Sequence, residues 1–322
     1  MPLIGFHASH EQISPAQLLL DVQHAESAGF QAAMCSDHFE PWSPSQGHAG
    51  YAWTWLGAAL ATTELRFGVV TAPGQRYHPA ITAQATATLS AMFPERFWAA
   101  LGSGQNMNER ITGDPWPEKA VRQQRLEECV DVIRRLHAGE EVTHRGLVTV
   151  ERARLWDLPE VPPSLIAPVM SVETARRAAT WADGLITTNQ DADTLRKLLG
   201  AYREEGGRGK AVLQVHLSWA DSDDDADDLA YGQWCTNSVG PPLTWDTATA
   251  QDFVELAERK EISREQVRQA VNVSSDTARH AQWLHEYGEL GFDELYLHHV
   301  GQDQHAFIDT FGKEVLPQLR GV

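Results

Sequence analysis

Apolar positions along the chain follow two alternating periods. Residues 3–8 form a short apolar run, and within residues 14–28 Leu18, Leu19, Val22 and Ala25 recur at helical spacing. Ser14-Pro15 is a helix start and Gly29 a stop. A second apolar run, residues 30–35, ends abruptly in the polar Ser36-Asp37-His38. The pattern then repeats. Strands are expected at 65–71, 97–101, 165–169, 184–188, 212–219 and 294–298, and helices at 79–92, 118–137, 172–181, 191–205, 276–287 and 304–315. Eight strand-helix units in alternation predict an α/β fold with a parallel sheet, closed as a (β/α)8 TIM barrel rather than open and doubly wound.

Two stretches break the repeat, so the chain reads as one barrel domain over 1–322 with insertions near 138–163 and 221–270. The first carries a hairpin signal at His144-Arg145-Gly146. The second opens on the acidic run 221–228, read as a solvated helix start, and passes through Gly240-Pro241-Pro242 and two expected helices. Insertions after the C-terminal ends of barrel strands cover active sites.

Composition narrows the class. With 322 residues, 42% hydrophobic and 22% charged, the chain is globular and large enough for one such barrel. A formal net charge of −18 repels a phosphate backbone and argues against nucleic acid as a partner. Cys35, Cys129 and Cys235 are odd in number and far apart, which makes no disulfide framework and fits a reducing cytoplasm. Residues 1–10 do not read as a signal peptide, and no run of about 18 apolar residues suits a membrane span. Neither a P-loop nor a GxGxxG fingerprint occurs, although Gly102-Ser103-Gly104 follows a strand and lets backbone N–H groups approach an anion or a flat ring.

In a barrel the catalytic groups lie just past the strand C-termini. There the chain places His7, His10 and Glu11 after strand one, and Asp37, His38, Glu40 and Trp42 after strand two. Strand three is followed by Thr71-Ala72-Pro73-Gly74, and strand four by Ser103, Gly104, Gln105, Asn106, Asn108 and Glu109; His298 and His299 stand at strand eight. The histidines raise metal-dependent hydrolysis, but His7 and His10 lack HxH spacing and no HExxH helix exists, so no metal is expected. No GxSxG elbow is present, and Cys35, inside an apolar run, reads as core. Trp53 and Trp55 read as helix core, whereas Trp42, on a polar loop past a strand end, is placed to stack on a flat ligand.

The block Ser36-Asp37-His38-Phe39-Glu40-Pro41-Trp42-Ser43, with Ser45-Gln46-Gly47-His48-Ala49 and Ala52-Trp53-Thr54-Trp55-Leu56, resembles the luciferase-like flavin and deazaflavin oxidoreductases. Within them it is similar to the F420-dependent glucose-6-phosphate dehydrogenase group, supported by Arg76-Tyr77-His78-Pro79-Ala80, Phe93-Pro94-Glu95-Arg96, Asn108-Glu109 and Trp181-Ala182-Asp183-Gly184. The resemblance implies a barrel that holds a flavin ring in its mouth and moves a hydride there. It implies His38 as base on a substrate hydroxyl, Trp42 as stabiliser of the reacting pair, and Glu11, His7 and Gln46 at the substrate. Cofactor contacts carry over onto Asp37, His38, Val69, Val70, Ala72, Ser103, Gly104, Asn108, Met170, Ser171 and Thr188, with a non-proline cis peptide expected at Val69-Val70. A homodimer is also implied.

One position departs from the dehydrogenase pattern: the acid just past the glycine of the strand-four loop is here Gln105, and an amide cannot deliver a proton. Glu11 or Glu109 would have to serve instead, or the reaction differs. The opening Gly5-Phe6-His7-Ala8-Ser9-His10-Glu11 and the ending Leu295-Tyr296-Leu297-His298 resemble a branch of flavin oxidoreductases that uses FMN rather than F420. The expected function is therefore an oxidoreductase acting on a small organic molecule with FMN or F420, FMN being favoured, as dehydrogenase or monooxygenase. The alternatives are an F420-dependent sugar-phosphate dehydrogenase and a non-catalytic flavin carrier or sensor.

Overall fold

The computed structural model describes residues 1–319. Eight parallel strands form the barrel: β1 (Leu3–Ala8), β2 (Ala32–Ser36), β3 (Arg66–Thr71), β4 (Phe97–Leu101), β5 (Ser164–Pro168), β6 (Gly184–Thr188), β7 (Lys210–Ser218) and β8 (Glu294–His299). They pair in sequence order from β1 to β8, and β8 pairs with β1 to close the ring. The expected (β/α)8 barrel is the fold.

Helices follow the strands and carry the local signals that start them. In α1 (Pro15–Ala28) the Ser14 side chain accepts from the Gln17 N–H and Gly29 ends the helix at φ 101°. The helix α2 (Ala52–Thr62) follows the loop after β2, α3 (Pro79–Met92) is capped by His78, and α4 (Lys119–His137) covers β4. Two helices, α5 (Val172–Ala179) and α6 (Ala192–Glu204), are capped by Ser171 and Asp191. The expected hairpin forms from Val142–Arg145 and Thr149–Ala153. The second insertion holds α7 (Asp223–Trp234), a one-turn helix over Leu243–Asp246, α8 (Ala250–Arg259) and α9 (Arg264–Arg268), four α-helices in all rather than two. Its acidic run is only partly a solvated start, since Asp227 is buried and paired with Arg264 and Arg268 at 2.7 Å each. The chain returns through α10 (Thr277–Glu289) and α11 (Gln304–Thr310); the last helix is shorter than expected because hydrogen bonding shifts to a wider turn over Phe311–Val315.

Strand alternation sorts the residues into three apolar groups. Outward-facing Phe6, Cys35, Phe67, Val69, Leu101 and Leu297 pack between sheet and helices, so Cys35 is core as expected. Inward-facing Met34, Trp98, Ile166, Ile186, Val212 and Tyr296 fill the barrel floor. The third group lies on the second insertion and is described with the site.

The parity corrects two expectations. Val69 points outward into the helix-facing core, and only Val70 is half-buried on the barrel side. The Val69-Val70 bond is not cis: the cis peptide among the described residues is Pro241-Pro242. Here β3 runs in unbroken register with both neighbours, Val70 facing Ser36 and Ala100, and that ladder fixes an ordinary trans strand.

A Cβ at Gly68 would enter the indole of Trp98, and one at Gly5 the ring of Tyr296. These two rings, 5.9 Å apart, plug the floor because the facing positions carry no side chain. Gly68→Ala should lower unfolding free energy by about 1 to 3 kcal/mol through overpacking. An unchanged urea midpoint would show that the floor has room to spare.

Candidate active site

The mouth is built from the strand ends. The loop after β1 bends back so that Ser9 Oγ donates to Glu11 Oε2 at 2.9 Å, which turns Oε1 toward His38 Nδ1 at 2.7 Å. Glu11 is buried, and although burial pushes its carboxyl up, the charge and hydrogen bond of His38 hold it below the usual carboxylate range. A carboxylate 2.7 Å from Nδ1 favours a proton on that nitrogen and leaves Nε2 as the atom that can accept one. Trp42 packs edge-on against His38 with centroids 5.4 Å apart.

Several candidates prove to be framework. Asp37 is buried: Oδ2 accepts from Thr71 Oγ1 at 2.9 Å and Oδ1 from the Tyr77 hydroxyl at 3.2 Å, while Arg76 donates to its carbonyl at 2.7 Å. It ties the loops after β2 and β3 together. Gln46, expected at the substrate, accepts from the Trp42 N–H at 2.9 Å and donates to the Gln233 carbonyl at 3.3 Å, so its amide clamps the Trp42 loop. Asn108 accepts from the Phe39 N–H at 2.8 Å and donates to Gln105 Oε1 at 3.1 Å, linking the loops after β2 and β4.

The residues left over form an arc. Val70, Ala72, Ser103, Gly104, Ser171 and Thr188 are half-buried at the ends of β3 to β6, with Met170 exposed beside them. Gly104 sits at φ 88°, where a Cβ would press on Glu109 Cγ at 3.0 Å, and glycine lets the backbone take that left-handed turn. Ser171 caps α5 through Thr174 N–H at 3.2 Å, leaving other first-turn N–H groups for an anion. Open backbone on four consecutive strand ends fits a flat ring with an anionic tail. Gln105, half-buried, follows Gly104 in this loop, its amide oxygen accepting from Asn108 Nδ2 at 3.1 Å. Beyond it stands Glu109, which accepts from the Arg76 N–H at 2.7 Å and whose carboxyl burial pushes up.

Sequence reasoning named His7 and His298 of the wall opposite but missed Gln12, Gln214, His216 and Trp234. His7 stacks on His298 at 4.1 Å, His298 Nε2 meets Gln12 Oε1 at 2.8 Å, and Gln214 Nε2 reaches both His298 Nδ1 and His216 Nε2 at 3.1 Å. Trp234 of α7 covers this layer, 4.7 Å from His216 and 4.9 Å from His298. Neither nitrogen of His7 has a partner. Burial lowers His7 to about 4 and His216 to about 3, so both are neutral. Gln214 and His216 alternate with Val215 and Leu217 on β7, a period-2 signal that marks them as inward-facing. Above the mouth, Trp234, Phe253, Met107, Val239 and Val300 form the third apolar group, against which Trp42 packs, 5.3 Å from Phe253.

Comparison with known proteins follows the geometry. Residues 3–294 match the luciferase-like monooxygenase family. The F420-dependent glucose-6-phosphate dehydrogenase of Beutenbergia cavernae is 36% identical over 329 residues, covering 98% of this chain and 97% of its own. The structure of an F420-dependent secondary alcohol dehydrogenase in complex with an F420-acetone adduct superposes with a TM-score of 0.90 at 29% identity, covering 99% of this chain and 100% of its own. A type II Baeyer-Villiger monooxygenase, the oxygenating constituent of 3,6-diketocamphane monooxygenase from the CAM plasmid of Pseudomonas putida, in complex with FMN, shares the fold with a TM-score of 0.70 at 17% identity, covering 98% of this chain and 99% of its own. The chain thus belongs to the luciferase-like monooxygenase family and is an oxidoreductase of its flavin- and F420-dependent kind.

Proposed function

We propose that the chain is an F420-dependent dehydrogenase that oxidises a hydroxyl group, with His38 as the base. The observation that carries this is the 2.7 Å contact from Glu11 Oε1 to His38 Nδ1, buried on one side and open to the mouth through Nε2. His38 takes the hydroxyl proton at Nε2, and Glu11 stabilises the imidazolium that forms. Trp42, held by Gln46 and Phe253, fixes the ring's orientation and excludes water.

Bound in the arc, F420 supplies a two-electron acceptor that takes a hydride. Val70, Ala72, Ser103 and Gly104 would hold its ring, and Met170, Ser171 and Thr188 its phosphate end. Relatives and structural neighbours above 25% identity bear F420 in their names, which turns the preference away from FMN. Gln105 has no proton to give; Glu109, packed beside Gly104 with its carboxyl pushed up by burial, is an acid at that loop. Three unpaired cysteines support a reducing, cytoplasmic setting.

Titration of the stripped protein with F420 and FMN in parallel tests the reading. One F420 per chain, with negligible FMN binding, is expected. Tight FMN with no F420 binding would overturn it and direct attention to oxygen-dependent chemistry.

A further inference from the structure

The charge of the substrate can be read from the mouth, on the footing that the chain is the deazaflavin dehydrogenase described above. A phosphorylated substrate brings a dianion, and burying one requires cations or several charge-assisted donors. Most cations around the mouth are engaged by acids or carbonyls, and Arg125, buried beside the loop after β3, donates to Gln75 Oε1 at 3.0 Å. Arg76 is buried between Asp37 and Glu109, with its Nε 3.6 Å from Glu109 Oε1. Arg110 pairs with Glu40 and donates to the Ala248 carbonyl at 2.6 Å. On the insertion, Arg264 and Arg268 bracket Asp227, and Lys260 donates to the Val239 carbonyl at 3.1 Å. Arg122, beneath the loop after β4, lies between the Pro117 carbonyl at 2.6 Å and Asp246 at 3.5 Å.

The histidines do not make up the deficit. His7, His216 and His298 are fully enclosed and neutral, and any charge that His38 carries is matched by Glu11 at 2.7 Å. Opposite them the roof is apolar, with Trp42, Trp234 and Phe253 facing the neutral wall. One hydroxyl acceptor under an aromatic roof suits a compact molecule with one polar end.

We propose that the substrate is a small neutral alcohol with apolar substituents, and that the mouth excludes sugar phosphates even though relatives about one-third identical bear glucose 6-phosphate in their names.

The test uses protein loaded with F420, its loading first verified by fluorescence. Propan-2-ol, cyclohexanol and glucose 6-phosphate are compared by the rate of F420 reduction. The expected result is a kcat/KM for one of the alcohols at least about 100-fold above that for glucose 6-phosphate, the scale of discrimination that unpaired buried charge gives. Preference for the sugar phosphate, or no turnover of either alcohol by the loaded protein, overturns the proposal. Calorimetric titration of glucose 6-phosphate into the protein gives a readout free of turnover: no saturable heat at millimolar ligand is expected, and a saturable signal overturns the proposal. If F420 itself fails to bind, the dehydrogenase reading falls, while the calorimetry still decides the question of charge.

Discussion

His38→Ala should lower kcat for the proposed hydroxyl oxidation by about 100- to 10,000-fold, the range that a positioned general base contributes, while the proposed cofactor F420 still binds. The imidazole is held from three sides, by Glu11 at Nδ1, by the edge contact with Trp42 and by the loop that Asp37 and Asn108 secure. Removing it deletes the proton acceptor without disturbing those anchors, so the loss should fall on kcat and leave F420 affinity within a few-fold. Glu11→Gln should be a milder version of the same defect. It keeps the shape and loses the charge that stabilises the imidazolium, so the rising limb of the pH profile should move while KM changes little. Retained turnover in His38→Ala would remove this residue from the chemistry.

Acid should unfold the protein far above the pH at which carboxylates alone would act. Burial holds His7, His10 and His280 at about 4 and His216 and His299 at about 3, with His298 lowered as well. In the unfolded chain these rings take up protons near 6.5. Between that value and about 4 the unfolded state therefore binds more protons than the folded one, and stability falls as pH falls. One histidine lowered from 6.5 to about 4 removes up to about 3 kcal/mol of stability as the pH falls from neutral to below 4. Several acting together are comparable with the whole stability of an ordinary domain. Urea midpoints at pH 7.5, 6 and 5 should drop steeply across the series. A flat series would mean that these rings are solvated or charged in the folded state.

The barrel was legible because each strand and helix announces its own period. The strands over 97–101 and 184–188 and the helix over 79–92 match the structure residue for residue, since apolar runs, Pro at a helix start and Gly at a stop are local signals. That Glu11, His38 and Trp42 meet at one mouth could be anticipated for a different reason: these residues sit just past strand ends, where a barrel displays its chemistry. What was not legible depends on partners far apart in sequence. That Gln46 would be consumed by Gln233, and Asp37 by Thr71, Arg76 and Tyr77, follows only from tertiary closure. Val69 was misplaced for a simpler cause, as counting alternate residues along β3 puts it with Phe67 on the outer face. Trp234 and Phe253 went unnoticed because the insertion lies outside the strand-helix repeat, so no period points its aromatics at the mouth.

The division of apolar packing into separate groups has an evolutionary consequence. Trp234, Phe253 and Val239 cohere with one another above the mouth, while the strands and their helices are held by a different set of contacts. Selection can therefore revise the cover residue by residue without loosening the frame that carries the cofactor loops. Libraries confined to the cover of this chain should yield altered preferences among folded proteins far more often than libraries spread over the strands.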